Sequence, residues 1–315
     1  MTTALISHCD CLEHVNPPGH PESVDRLRAV MAALEAEEFA YLTRVDAPLA
    51  SDEALLRVHP ASHIERIEAQ SPARGFAAID ADTFMCPGSV TAARRAAGAV
   101  VQAVDMVMAG EVANAFCAVR PPGHHAEPST PMGFCLFGTV AVGAMHALEA
   151  HGLERVAIMD FDVHHGNGTQ ALLWHEKRVL FASTQQMPLY PGTGAPEERG
   201  AHGQIVNVPL RPGAGGAEFR EAMRAEVLPA IDAHMPQLIL ISAGFDAHAR
   251  DPLANLNLIE ADFAWATREL CALADRHARG RVVSTLEGGY DLTALAASVA
   301  AHVRVLMERV HVPNP

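Results

Sequence analysis

Asp160-Phe161-Asp162-Val163-His164-His165-Gly166-Asn167-Gly168 is the stretch whose reading decides how this chain folds. The residues before it, Val156-Ala157-Ile158-Met159, are all apolar, the composition of a strand buried on both faces, so a strand is expected over 155–163. Side chains two apart on a strand point the same way. Asp160, Asp162 and His164 are therefore expected on one face at its carboxyl end, before Gly166 and Gly168 turn the chain away. Buried carboxylates need a cation or hydrogen-bond donors beside them. A metal site meets that need; for this stretch alone, an acidic strand end capping a neighbouring helix is the alternative.

Three further apolar runs end in the same manner. Ala115-Phe116-Cys117-Ala118-Val119 leads into Arg120-Pro121-Pro122-Gly123-His124-His125-Ala126, where a rigid turn aims two adjacent histidines. Leu238-Ile239-Leu240-Ile241 runs into Ser242-Ala243-Gly244-Phe245-Asp246-Ala247-His248. Val282-Val283-Ser284-Thr285 ends at Leu286-Glu287-Gly288-Gly289-Tyr290, a tyrosine on two glycines. Open α/β sheets bind ligands beyond the carboxyl ends of their strands, and all four ends carry Asp, His or Tyr.

Strand-like runs at about 3–7, 115–119, 155–163, 179–184, 204–209, 237–243 and 281–286 alternate with helical patterns at 21–39, 88–108, 139–151, 219–234, 261–277 and 292–307. That alternation predicts an α/β fold, a mostly parallel central sheet with helices on both faces. With no repeat, low-complexity tract or linker, residues 1–315 read as a single domain. The longer irregular stretches, about 8–20, 71–91, 121–137, 185–203 and 246–260, are expected to build the site.

Composition narrows the function classes. Of 315 residues 49% are apolar, with no run long enough to span a bilayer, so a globular protein without a membrane partner is expected. Residues 1–6 are neither basic nor followed by a long apolar stretch and read as a first strand, not a signal peptide. The six cysteines form no C-x-x-C pair, and several fall in apolar runs. Buried free thiols in a reducing, cytoplasmic compartment are expected, with a Cys9/Cys11 metal or redox pair as the alternative. A net charge of −14 lacks the basic face that nucleic-acid binding requires. A homo-oligomer is compatible with the sequence.

These motifs, with Pro131-Met132-Gly133-Phe134-Cys135-Leu136-Phe137, make the chain resemble the zinc-dependent histone deacetylase and acetylpolyamine amidohydrolase superfamily. It is most similar to bacterial histone-deacetylase-like amidohydrolases on the class II side, from Gly19-His20-Pro21-Glu22 to the last helix. The resemblance implies an arginase/deacetylase-like fold. It also implies a zinc ion on Asp162, His164 and Asp246, with a position left open for water and the substrate carbonyl. One nitrogen and two carboxylates are less selective than three histidines, so Fe(II) or Co(II) could substitute.

Further roles follow from the same resemblance. His124 and His125 become an acid–base pair, oriented by Asp160 and Asn167 respectively, with His125 the principal base. Tyr290 becomes the oxyanion donor. Gly133, Phe134 and Tyr190 line a channel for a lysine-like chain, Leu253 lies at its rim, and Asp82 accepts from substrate backbone N–H. A potassium ion takes oxygens from Asp160, Asp162, His164 and Ser183, and a second cation is compatible with the backbone near residues 173–179. Two departures from the family pattern, Gly138-Thr139 and Gln185-Gln186, fall where relatives carry two asparagines and His-Gln.

Three functions fit these residues. The first is deacylation of N-acyl-lysine in a peptide or protein. The second is deacetylation of acetylpolyamines or other small N-acyl amines. The third is a metal-bound sensor or binding module with vestigial activity. Leu253 favours the first over the second, since an acidic rim would better receive a polyamine's distant ammonium. A binding module has no need of all six of Asp162, His164, Asp246, His124, His125 and Tyr290.

Overall fold

The computed structural model describes residues 2–309; Met1 and 310–315, the ends of the expected 1–315 span, lie outside the described residues. Its strands are β1 (Thr3–Ser7), β2 (Thr43–Asp46), β3 (Ala77–Ala78), β4 (Phe84–Met85), β5 (Asn114–Cys117), β6 (Val156–Asp160), β7 (Val179–Gln186), β8 (Ile205–Leu210), β9 (Leu238–Ala243) and β10 (Val282–Leu286). Its helices are α1 (Val24–Ala33), α2 (Asp52–Leu56), α3 (Ala61–Ala69), α4 (Ser89–Ala109), α5 (Thr139–Glu149), α6 (Asn167–Leu173), α7 (Gly216–Ala222), α8 (Leu228–His234), α9 (Glu260–His277) and α10 (Leu292–Glu308). Eight strands form one sheet in the order β2-β1-β5-β10-β9-β6-β7-β8, with every pair parallel. β3 and β4 make a small antiparallel hairpin apart from it.

The central strands β5, β10, β9, β6 and β7 are buried along their whole length, which is why each carries a run of consecutive apolar residues in place of an alternating pattern. α4 and α5 pack on each other, while α1, α10, α9 and α8 form a second chain of neighbours. The many alanines on the buried side of α4 allow close packing against the sheet. Cys11, Cys86, Cys117, Cys135 and Cys271 are buried free thiols and Cys9 is exposed. Among the described residues no helix is long and apolar enough to cross a membrane.

Three expectations need correction. The strand expected over 155–163 stops at Asp160. The Asp160 carboxylate accepts the Asp162 N–H at 3.0 Å and Asp162 accepts the His164 N–H at 2.9 Å, so aspartate side chains take the donors a ladder would have used. Asp162 and His164 thus stand on a turn, not on a strand face. The helix expected over 21–39 ends at Ala33, followed by a 3-10 turn at Glu37–Phe39. Residues 43–69, where no element was expected, hold β2, α2 and α3; β2 is a half-exposed edge strand whose polar residues gave no apolar run.

Candidate active site

The four expected strand ends are neighbours, because β5, β10, β9 and β6 are consecutive in the sheet. Beyond β6 and β9, one ligand atom each from Asp162, His164 and Asp246 lies within 4.8 Å of the others. His164 Nδ1 is 3.1 Å from both Asp162 Oδ1 and Asp246 Oδ2. One ring N–H cannot serve two carboxylate oxygens equally. A divalent ion bound at about 2.0–2.2 Å in a tetrahedral site sets neighbouring donors roughly 3.3 Å apart, which these spacings match. Both carboxylates are wholly buried. The backbone is shaped around them: a Cβ on Gly244 would come within 2.0 Å of Asp162 Oδ2, and one on Gly288 within 2.1 Å of Asp246 Oδ2. The donor set and its glycine cradle fit a zinc-like ion.

The two histidines beyond β5 are buried side by side, ring centroids 3.9 Å apart, and held differently. His124 Nδ1 lies 2.9 Å from Asp160 Oδ2. Burial works against charge on His124, but Asp162 and Asp160 more than offset it and hold its pKa well above the ordinary value. His125 Nδ1 lies 2.7 Å from Asn167 Oδ1, and the Asn167 amide nitrogen donates to Glu127 at 2.8 Å. Glu127 thereby fixes which way the amide faces, so His125 carries its proton on Nδ1 and presents a bare Nε2. Burial, then the positive His124, push the His125 pKa well below its ordinary value.

Three acids with no expected role brace this arrangement. Glu287 accepts the N–H groups of Gly123 and His124, at 2.7 and 3.2 Å, and the Ser242 hydroxyl at 3.0 Å, which seats the Pro-Pro-Gly-His-His turn. Glu22 pairs with Arg26 and Arg120, all three fully buried. Asp251 accepts from the N–H groups of Leu253 and Tyr290. Glu22 and Glu287 sat inside quoted motifs, but the partners that give them a role, Arg120 and the Gly123 N–H, lie 98 and 164 residues away.

A pocket of about 560 Å³ opens over these groups. His125, His164 and Gly133 line it from the buried side, Phe134 and Tyr290 contribute their rings, and Tyr190, 40% exposed, stands at its mouth. Tyr190 is edge-on to His125 at 5.3 Å, and Phe134 to Tyr290 at 6.0 Å. Leu253 and Asp82 also line the pocket. So does His20, which the sequence did not distinguish from the other histidines; it packs edge-on to Phe134 at 4.7 Å and meets the Asp82 carbonyl at 2.8 Å. At the two departures, a Cβ on Gly138 would meet the movable end of Leu172 at 2.3 Å, and Gln185 joins the Ser183 hydroxyl to the Gly194 carbonyl. Ser183 itself lies opposite Asp160 in the β6–β7 register.

Residues 20–306 match the histone deacetylase domain model. A histone deacetylase-like amidohydrolase of Pseudomonas aeruginosa is 45% identical over 285 residues, 88% of this chain and 74% of that protein. A probable deacetylase of Archaeoglobus fulgidus is 40% identical over 298 residues, 93% of this chain and 82% of that protein. The crystal structure of the HDA15 HD domain superposes with a TM-score of 0.92 at 36% identity, covering 98% of this chain and 89% of that one. Sheet, strand-end site and sequence agree across nearly the whole length, and the chain belongs to the histone deacetylase family of hydrolases.

Proposed function

We propose that the chain is a zinc-dependent deacylase that hydrolyses the acyl amide of N-acyl-lysine side chains. The observation that carries this reading is the pocket whose buried side brings a base-competent His125 beside the Asp162, His164 and Asp246 triangle. Zinc held by those three residues would polarise the scissile carbonyl and lower the pKa of water. His125 Nε2 takes the proton of the attacking water and afterwards gives it to the departing lysine amine. His124, kept positive by Asp162 and Asp160, stabilises the negative charge that develops. Tyr290 donates its hydroxyl to the carbonyl oxygen as it becomes an oxyanion. Asp160 and Ser183, with the backbone oxygens of Asp162 and His164, are the groups that would hold a potassium ion.

Tyr290→Phe is expected to lower kcat by about 10²–10³ with zinc content unchanged, since it removes a transition-state donor and no ligand. Wild-type turnover in that variant would make the tyrosine a packing residue.

Leu253 and Asp82 set the substrate. An apolar rim gives no reward to a second ammonium, while Asp82 can accept a peptide N–H. Acetyl-lysine peptide should therefore exceed acetylspermidine in kcat/KM by at least about tenfold, ~1.4 kcal/mol of differential transition-state binding. Leu253→Glu should narrow or reverse that ratio, and Asp82→Ala should harm the peptide more than the polyamine. A side-by-side assay of the zinc-loaded protein decides it. If acetylspermidine is the better substrate of the unaltered chain, the lysine assignment gives way to a polyamine deacetylase.

A further inference from the structure

We infer that Asp251 is a positioning residue for the reaction, holding the Gly289–Tyr290 peptide so that the phenol faces the pocket and tying that peptide to the pocket-lining Leu253. This rests on the reading of Tyr290 as oxyanion donor.

The argument begins with one peptide plane. The Gly289 carbonyl accepts from Arg26 Nε at 2.6 Å, and the Tyr290 N–H donates to Asp251 Oδ2 at 2.7 Å. A peptide unit is planar, with C=O and N–H on opposite edges. Gripping both edges fixes the plane, and with it the Tyr290 Cα and the N–Cα axis from which the side chain starts. The grip is needed because the preceding residue, Gly289 at φ +122°, is in a region open to glycine and resists no rotation of its own. Arg26 then lies 4.9 Å from the centroid of the Tyr290 ring, so the residue is oriented by its backbone and backed by a cation.

The other carboxylate oxygen of Asp251 accepts the Leu253 N–H at 3.0 Å. Two N–H groups thus meet two oxygens of one carboxylate. Asparagine cannot copy this, since its NH₂ would face one of the two donors. Asp251 is only 8% exposed, an unfavourable place for an acid unless both its oxygens are used, as these two N–H groups use them. The nearby Arg250–Asp291 pair also joins the two loops, but Arg250 is more than half exposed and the pair contributes little. Asp251 is the buried connection between the pocket wall at Leu253 and the phenol at Tyr290.

A double-mutant cycle between Asp251→Asn and Tyr290→Phe tests this, with an acetyl-lysine peptide as substrate and zinc content measured for each protein. D251N should lower kcat by about 10–100-fold, as expected for a misplaced reacting group, with KM changed by less than about threefold and zinc stoichiometry unchanged. In the Y290F background, D251N should lower kcat by less than about twofold further, because the group it positions is already gone. Equal losses in both backgrounds, or no loss in the parent, would overturn the inference. Y290F with full turnover sinks the role of Tyr290 itself, and that result is read without altering Asp251. Should D251N fail to fold, Asp251→Ser, whose hydroxyl still accepts one N–H, makes the same comparison.

Discussion

Asp162→Ala and Asp246→Ala are each expected to yield protein without stoichiometric zinc and without measurable amidase turnover. An open catalytic site has only three protein ligands, so losing one leaves an imidazole and a single carboxylate, too few to retain the ion against dialysis. A feature of the metal-free state separates this from simple unfolding. Burial, then the neighbouring Asp162, raises the pKa of Asp246, so the two carboxylates repel each other when no cation stands between them. Removing one relieves that repulsion. Asp162 also accepts the Gly288 and His164 N–H groups, and Asp246 the Val163 N–H, and losing these acceptors costs stability. The variants should therefore melt below metal-free wild type yet still unfold cooperatively, while lacking activity that added zinc restores only to the latter. Elemental analysis, melting curves and a peptide assay on the same samples check this. Full turnover in a metal-free preparation would end the metal reading.

Glu22→Ala should destabilise the fold by about 3–5 kcal/mol, the usual consequence of stripping the counter-charge from a buried pair. The case is severe because Glu22 serves two guanidinium groups. Arg26 reaches Oε1 at 3.1 Å and Arg120 Nη2 reaches Oε2 at 2.6 Å, with Asn16 and His14 completing the shell. Burial alone would raise the Glu22 carboxyl, but Arg120 and His14 overcome it and hold its pKa well below the ordinary carboxylate value. The carboxyl therefore loses its proton more readily folded than unfolded. Its contribution is complete above about pH 4.3, the unfolded value, and is lost as pH falls through the lower folded value. Urea titrations at neutral pH and near pH 4 give the measurement. A cost below about 1 kcal/mol would mean that water or another anion replaces the carboxylate.

The fold was legible where burial is two-sided. β6, β9 and β10 have no exposed position and each opens on consecutive apolar residues, so their sequences announce themselves. β2 lies at the sheet edge with alternate residues exposed, and its sequence, Thr43-Arg44-Val45-Asp46, looks like a loop. Asp162 and His164 were picked out for being on one strand face. They share a site for another reason, the aspartate-capped turn that carries them off the strand. Glu22, Glu127, Asp251 and Glu287 were not assigned because a supporting acid is defined by its partners. Glu287 meets Gly123 across 164 residues and Glu22 meets Arg120 across 98, distances over which spacing carries no signal.

The same sequence separations bear on how the site comes into being. His164 meets Asp246 across 82 residues, so a chain leaving the ribosome offers two of the three metal donors well before the third exists. The central pairing of β5 with β10 joins Asn114 to Val282, and the tyrosine follows later still. Contacts so distant carry a large loop-closure entropy and form late in folding. A partly made chain therefore has a weak, incomplete cation trap and no hydrolytic pocket. Acquisition of the ion should coincide with closure of the sheet, so a pulse of chelator during refolding should intercept activity that the same chelator removes only slowly from the finished enzyme.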